Sequence, residues 1–337
     1  MMGKLEISSQ TKTIHSFNNY KILESIILIT LFILECAEVV MDTKKNHISK
    51  KEGLMIDSYL ISHPLIKRSK LACREKGGKG KALSEGWALN FAIGCLHGCQ
   101  FCYVDSIHRR YRGKRMGFQH KRWGDYFFIP ENISEAIERT PWSRWSGREV
   151  MMSSTHDPYL PRLLPITEKI LNEALPAGIR FCIQTRSPLI LEHMDLLEKY
   201  RDQIRIQVSV ATLDEKLHRL VEPRIVHPGI RMKILKEAKR RKITSGIIVA
   251  PVFPPCRVRP DWRSDLDNIF LDLNRIGPEK IYGEMLHCRG SNLSHLREDL
   301  GMDISRKQLI ELDPVVGDYF EYLLEKHNLE GTWWPEK

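Results

Sequence analysis

Three cysteines, Cys95, Cys99 and Cys102, fall within eight positions of a 337-residue chain, in the run Asn90-Phe-Ala-Ile-Gly-Cys95-Leu-His-Gly-Cys99-Gln-Phe-Cys102-Tyr103. Three residues separate the first two and two separate the next pair. Thiolates this close can converge on one soft metal centre. A lone CxxC pair would suit zinc or a redox disulfide. Three thiolates without a nearby fourth suit a cubane [4Fe-4S] cluster whose remaining iron stays open to a substrate or cofactor. Zinc with His97 as a fourth ligand is a competing reading, and thiols buried only for packing are another. Gly94 and Gly98 let the backbone fold tightly around such a centre.

A rigid frame must position that loop. From position 86, apolar runs of strand length alternate with helical stretches, which signals a parallel sheet built from βα units. Strands are expected at 86–94, 150–155, 179–185, 204–211, 244–252 and 280–287, with helices at 166–175, 189–200, 230–241 and 265–276. Six such units predict an α/β fold, a partial (β/α)6 TIM-like barrel, incomplete relative to the eight-stranded form. Chemistry in such folds sits at the C-terminal ends of the strands. Besides the cysteine loop, the residues expected there are Ser153-Ser-Thr-His-Asp157, Thr185-Arg-Ser187, Ser209-Val-Ala-Thr212, Ala250-Pro-Val252 and His287-Cys288. Small polar residues also cap helices, but one shared rim is what an active site requires.

The pattern CxxxCxΦC, with Phe101 as the aromatic Φ, resembles the signature of the radical S-adenosyl-L-methionine (SAM) superfamily. Longer stretches resemble its spore photoproduct lyase-like branch, the DNA repair photolyase-related proteins. They are Gly94-Cys-Leu-His-Gly-Cys-Gln-Phe-Cys-Tyr103, Ser154-Thr-His-Asp-Pro-Tyr159, Thr185-Arg-Ser-Pro-Leu189, Val221-Glu-Pro-Arg224 and Ala250-Pro-Val-Phe-Pro254. The resemblance implies the radical SAM barrel, with a [4Fe-4S] cluster on Cys95, Cys99 and Cys102 and SAM chelated by the open iron. One electron from the reduced cluster then cleaves the sulfonium to methionine and a 5′-deoxyadenosyl radical, which abstracts a hydrogen atom.

The resemblance also implies roles for single residues. Phe101 and Tyr103 line the adenine side. Arg186 stands where the family has lysine, and a guanidinium can hold the SAM carboxylate bidentately; Ser187 beside it joins the cofactor set. Ser154 and Asp157 are candidates for the SAM amino group, or else a helix cap. Ser209 is a candidate for the ribose, or else a buried hydroxyl. Glu222 and Arg224 read as a structural ion pair. Spore photoproduct lyases carry a hydrogen-donor cysteine, and residues 151–155 contain none. That speaks against this particular activity and leaves Cys288 as the best-placed substitute donor.

The substrate signal lies just beyond the cysteines. Residues 106–123 contain Arg109, Arg110, Arg112, Lys114, Arg115, Lys121 and Arg122 and no acid, with Tyr111, Phe118 and Trp123 interleaved. Basic residues bind phosphates and aromatics stack on bases. The leading expectation is therefore an enzyme acting on nucleic acid, in base-lesion repair or base modification. The alternatives are a radical SAM enzyme acting on a peptide or small molecule, and a non-catalytic metal-binding interaction protein. A formal charge of +10 agrees with an anionic partner. With 42% hydrophobic and 28% charged residues, collagen-like, low-complexity and wholly disordered classes are excluded. Eight cysteines are too few for a disulfide scaffold.

Residues 1–60 read as an N-terminal extension. Positions 26–40 are apolar but broken by Thr30, Glu35 and Glu38, and a bilayer span needs about 20 apolar residues. No stable membrane insertion is expected; a start at Met41 or an amphipathic helix would each account for the stretch. A basic linker is expected over 61–85, including Lys76-Gly-Gly-Lys-Gly-Lys81. The barrel follows over 86–290, and a helical segment packing on it over 291–337. An oxygen-sensitive cluster and its cellular one-electron reductant, of flavodoxin or ferredoxin type, make the cytoplasm the expected location.

Overall fold

The computed structural model describes residues 59–69, 83–298 and 300–334. The extension up to position 58 and positions 70–82 of the expected linker lie outside the described residues. Eight strands form one sheet in sequence order: β1 (Ile66–Arg68), β2 (Trp87–Leu89), β3 (Glu149–Met152), β4 (Arg180–Thr185), β5 (Ile204–Val210), β6 (Thr244–Val252), β7 (Lys280–Met285) and β8 (Gly331–Trp333). Strands β2 to β8 pair in parallel, and β1 pairs antiparallel with β2. All six expected strands are therefore present. Two short edge strands were not expected: β1 lies inside the linker, and β8 closes a segment expected to be wholly helical. Three residues are too few to display a period.

The helices are α1 (Val104–His108), α2 (Ile133–Glu138), α3 (Leu164–Ala174), α4 (Met194–Lys199), α5 (Glu215–Val221), α6 (Pro228–Arg240), α7 (Trp262–Ile276), α8 (Asn292–Glu298) and α9 (Arg306–Lys326). Their ends follow local chemistry. The Asp261 carboxylate accepts from the amides of Arg263 and Ser264 at the start of α7, and Gly277, at φ 63°, stops it. Ser305 and Gln308 form a capping box on α9. The helix expected over 189–200 divides into a 3-10 segment, Pro188–His193, and α4.

Strands β4 to β7 carry apolar side chains on both faces, as parallel strands covered by helices require. One large core lies between sheet and helices. A second, smaller cluster joins Leu83, Ala88, Met151, Ile248, Ala250 and Tyr282, with Trp334 packed against it. Among the described residues no helix is long and apolar enough to cross a membrane.

Candidate active site

The cysteine loop follows β2 and is pinned along its length. Gly94 sits at φ 83°, where a Cβ would come within 2.2 Å of the Tyr126 carbonyl oxygen, so only glycine fits. Its amide donates to His108 Nδ1 at 3.1 Å. Farther on, the Gln100 amide donates to the Val221 carbonyl at 2.9 Å, strapping the loop to the end of α5.

Cys95, Cys99 and Cys102 line one cavity of about 240 Å³ together with Phe101, Tyr103, Ser154, Asp157, Arg186 and Ser209. These residues come from the ends of different strands, as the expected rim requires. Burial pushes the Cys95 thiol up to about 12 and Cys102 up to about 11, and carries Cys99 well above its ordinary value. Backbone amides oppose that rise, those of Asp157 and His97 at Cys95 and those of Val104 and Asp105 at Cys102. The Arg186 guanidinium acts on Cys99 in the same sense. All three cysteines are free thiols. Sulfurs shielded from water yet facing N–H donors and a cation suit thiolate ligation once a metal replaces the proton. Among the described residues no three His, Cys, Asp or Glu side chains gather around a single metal-ion position. All three cysteines line the same cavity.

Asp157 is the hub of the lining beside the cysteine loop. Its carboxylate accepts from His97 Nε2 at 2.9 Å, Thr185 Oγ1 at 2.8 Å, the Arg186 amide at 2.7 Å and the Tyr159 amide at 2.9 Å. Burial alone would raise this carboxyl, but His97 and the amide donors outweigh it and hold it below its ordinary value. From the sequence His97 reads as a loop residue or, in the competing reading, a zinc ligand, and neither anticipates this bond to Asp157. Its link to an acid 60 positions away leaves no local pattern.

Arg186 lines the cavity, with its guanidinium 5.6 Å from the Phe101 ring centroid. It is held from behind: Nε donates to Glu222 Oε1 at 2.9 Å, and Glu222 Oε2 also pairs with the fully buried Arg231. The expected Glu222–Arg224 pair is not formed. Glu222 faces inward to these two arginines, while Arg224 reaches out to the Gly124 carbonyl and the Asp125 carboxylate, both at 2.5 Å.

Two other expectations are corrected. Ser187 does not line the cavity; its hydroxyl accepts from the Leu189 amide at 3.3 Å, capping the following turn. Cys288 does not line it either. His287 and Arg289 do, and the cysteine between them packs against the core. Ser154 lines the cavity while its hydroxyl accepts from Asn90 Nδ2 at 2.9 Å. Ser209 lines it while its carbonyl accepts from Arg231 Nη1 at 2.6 Å. Sequence reasoning missed Leu83, Glu284 and Trp334, which also line it.

The basic segment is split in function. Arg109 is an internal staple, donating to Asp105 at 2.8 Å, to the Gln119 carbonyl at 2.6 Å and to the Lys121 carbonyl. Phe118 is fully buried, stacked on Tyr126 at 4.2 Å. Arg110, Lys114, Arg115 and Arg122 are exposed, Arg112 and Lys121 are half-buried, and Tyr111 is 70% exposed. Trp123 lines the cavity.

Comparison with known proteins agrees with this architecture. Residues 89–255, from β2 to just beyond β6, match the family model described as the radical SAM superfamily. The uncharacterized protein ORF301 of Acidianus two-tailed virus is 52% identical over 280 residues, covering 83% of this chain and 92% of that one. The uncharacterized protein MJ0683 of Methanocaldococcus jannaschii is 24% identical over 170 residues, 50% of this chain and 61% of that one. Among solved structures, a spore photoproduct lyase mutant with dinucleoside spore photoproduct superposes with a TM-score of 0.57 at 13% identity, over 88% of this chain and 93% of that one. A second mutant of that enzyme, with bound AdoMet as well, gives the same TM-score of 0.57. These two likenesses are likenesses of fold. The chain belongs to the radical SAM superfamily.

Proposed function

We propose that this radical SAM enzyme acts on nucleic acid, in base-lesion repair or base modification, and that Cys95, Cys99 and Cys102 hold its cluster. The cofactors of the class are a [4Fe-4S] cluster and SAM. When bound, they supply one-electron chemistry that ends in abstraction of a hydrogen atom. The protein's share is to bind, orient and shield. The thiols face one cavity that water reaches only in part. Arg186 offers a fixed cation for a carboxylate, Phe101 and Tyr103 offer flat apolar surfaces, and Ser154 and Ser209 offer polar contacts. Asp157 braces the wall.

The observation that carries the nucleic-acid reading is the exposed group Arg110, Tyr111, Lys114, Arg115 and Arg122, on the segment directly after the cysteine loop. Cations with an exposed aromatic ring suit phosphates and bases. The reading carries a reducing compartment, the cytoplasm, and a flavodoxin- or ferredoxin-type donor.

The test is anaerobic. Protein reconstituted with iron and sulfide, then reduced and given SAM, should release 5′-deoxyadenosine, and the Cys99→Ala variant should not. It should also bind oligonucleotides with an affinity that falls steeply with salt. Tightly held zinc without iron would overturn the cluster assignment. Absence of oligonucleotide binding at low salt would move the substrate to a peptide or small molecule.

A further inference from the structure

The cavity has further lining besides Asp157 and Arg186. It comes from the end of β7 and the residue after β8: Glu284, His287, Arg289 and Trp334, with Leu83 and Ile248 beside them. Contacts join this wall in order. The Trp334 amide donates to the Gly283 carbonyl at 2.7 Å, which sets Trp334 beside the strand position that carries Glu284. Glu284 Oε2 lies 3.8 Å from His287 Nδ1, and that nitrogen pairs with Arg289 Nη2 at 3.1 Å. The Arg289 guanidinium lies 5.9 Å from the Tyr103 ring centroid, and Tyr103 directly follows Cys102. One surface therefore runs from the cysteine loop to Trp334.

The two ends of this surface differ in chemistry. At the far end the Trp334 indole stacks on Tyr282, with centroids 4.6 Å apart and planes 19° apart, against the cluster of Leu83, Met151, Ile248 and Ala250. A ring backed by another ring is a flat, rigid, apolar shelf. A carboxylate stands beside it, and an exposed guanidinium stands at the rim. A peptide side chain would use one or two of these features. A planar heterocycle with N–H groups on its edge and a phosphate on its tail uses all three.

We infer that this wall is the substrate subsite, with Trp334 as the base-stacking shelf, Glu284 as acceptor for the base edge and Arg289 as a phosphate contact. The inference rests on the nucleic-acid reading above and adds which residues read the substrate. It places a single unstacked nucleotide within the cavity, while the exposed basic segment holds the flanking backbone.

The probe is a single-stranded DNA hexamer carrying 2-aminopurine, titrated into the full-length protein loaded with cluster and SAM. Stacking on an indole quenches this base. Trp334→Ala should weaken binding about five-fold or more, the low end for loss of one base–aromatic stack, and should abolish the quench. Trp334→Phe, which keeps a ring on Tyr282, should keep part of it. Glu284→Gln leaves the shelf in place and should keep the quench while weakening binding. Arg110→Ala should lower the salt dependence and leave the quench intact. Unchanged affinity and quench in Trp334→Ala and Glu284→Gln, with wild type bound, would overturn the subsite and leave the nucleic-acid reading standing. No binding by wild type would overturn both.

Discussion

Replacing Glu222 by glutamine should cost about 3 kcal/mol of stability at pH 7, and that cost should shrink in acid. The carboxylate is wholly buried between two guanidiniums, with Arg186 Nε at 2.9 Å on one oxygen and the fully buried Arg231 on the other. Glutamine keeps the shape but removes the charge and turns an NH2 toward one arginine. Breaking a buried pair from one side costs about 3–5 kcal/mol. The depressed pKa of the carboxyl leads to a similar figure. Burial pushes this carboxyl up, but Arg231 and then Arg186 outweigh it and hold it near 2 rather than 4.5. At 1.36 kcal/mol per pH unit, that difference is worth about 3 kcal/mol. The folded value is depressed, so the stabilisation is complete above pH 4.5 and is lost as pH falls toward 2. Urea unfolding of wild type and Glu222→Gln at pH 7 and pH 3 reads it directly. The gap should fall by roughly half between the two pH values. A gap under about 1 kcal/mol, or one that does not change with pH, would refute the charge-based account.

Three further outcomes are expected. Asp157→Asn should retain iron but lose about a hundred-fold in 5′-deoxyadenosine release, because the wall it braces shifts; iron content and product assays together check this. Arg109→Ala should lower the melting temperature with little change in the salt slope of oligonucleotide binding, since Arg109 is spent on internal bonds. Arg110→Ala should do the reverse, lowering the slope by about 0.7 on a single strand. Burial, then Arg112, holds His108 down to about 4 from 6.5, so its contribution is present above pH 6.5 and lost toward pH 4. His108→Asn can still accept from Gly94 without titrating. Its stability relative to wild type should rise across that window in chemical unfolding.

What the sequence discloses here depends on distance along the chain. The parallel strands and the main helices announce themselves by period. The three cysteines announce themselves by spacing, and Asp157 and Arg186 by following strands whose ends can be located. What stays hidden turns on one position or on long-range contact. Arg186 points into the cavity and Ser187 away from it; His287 and Arg289 point in and Cys288 does not. These positions lie beyond β4 and β7, in connecting backbone whose side-chain directions no period fixes. Composition likewise cannot separate Arg109, folded back on its own loop, from the exposed Arg110. Trp334 reaches the cavity only because β8 pairs with β7, a contact between positions about 50 apart that no local pattern encodes.

The incomplete barrel has a consequence for solubility. A closed barrel has no free strand edges, whereas among the described residues this sheet ends at β1 on one side and β8 on the other. Each such edge is a template on which another chain can add a strand. Both edges here are three residues long. Lys67 and Arg68 are exposed on β1, and the neighbouring Glu330 pairs with Lys280 beside β8. Brevity and charge are the usual protections against edge-to-edge aggregation. The opening that leaves one side of the barrel accessible is thus bordered by strands poorly suited to recruit a second copy.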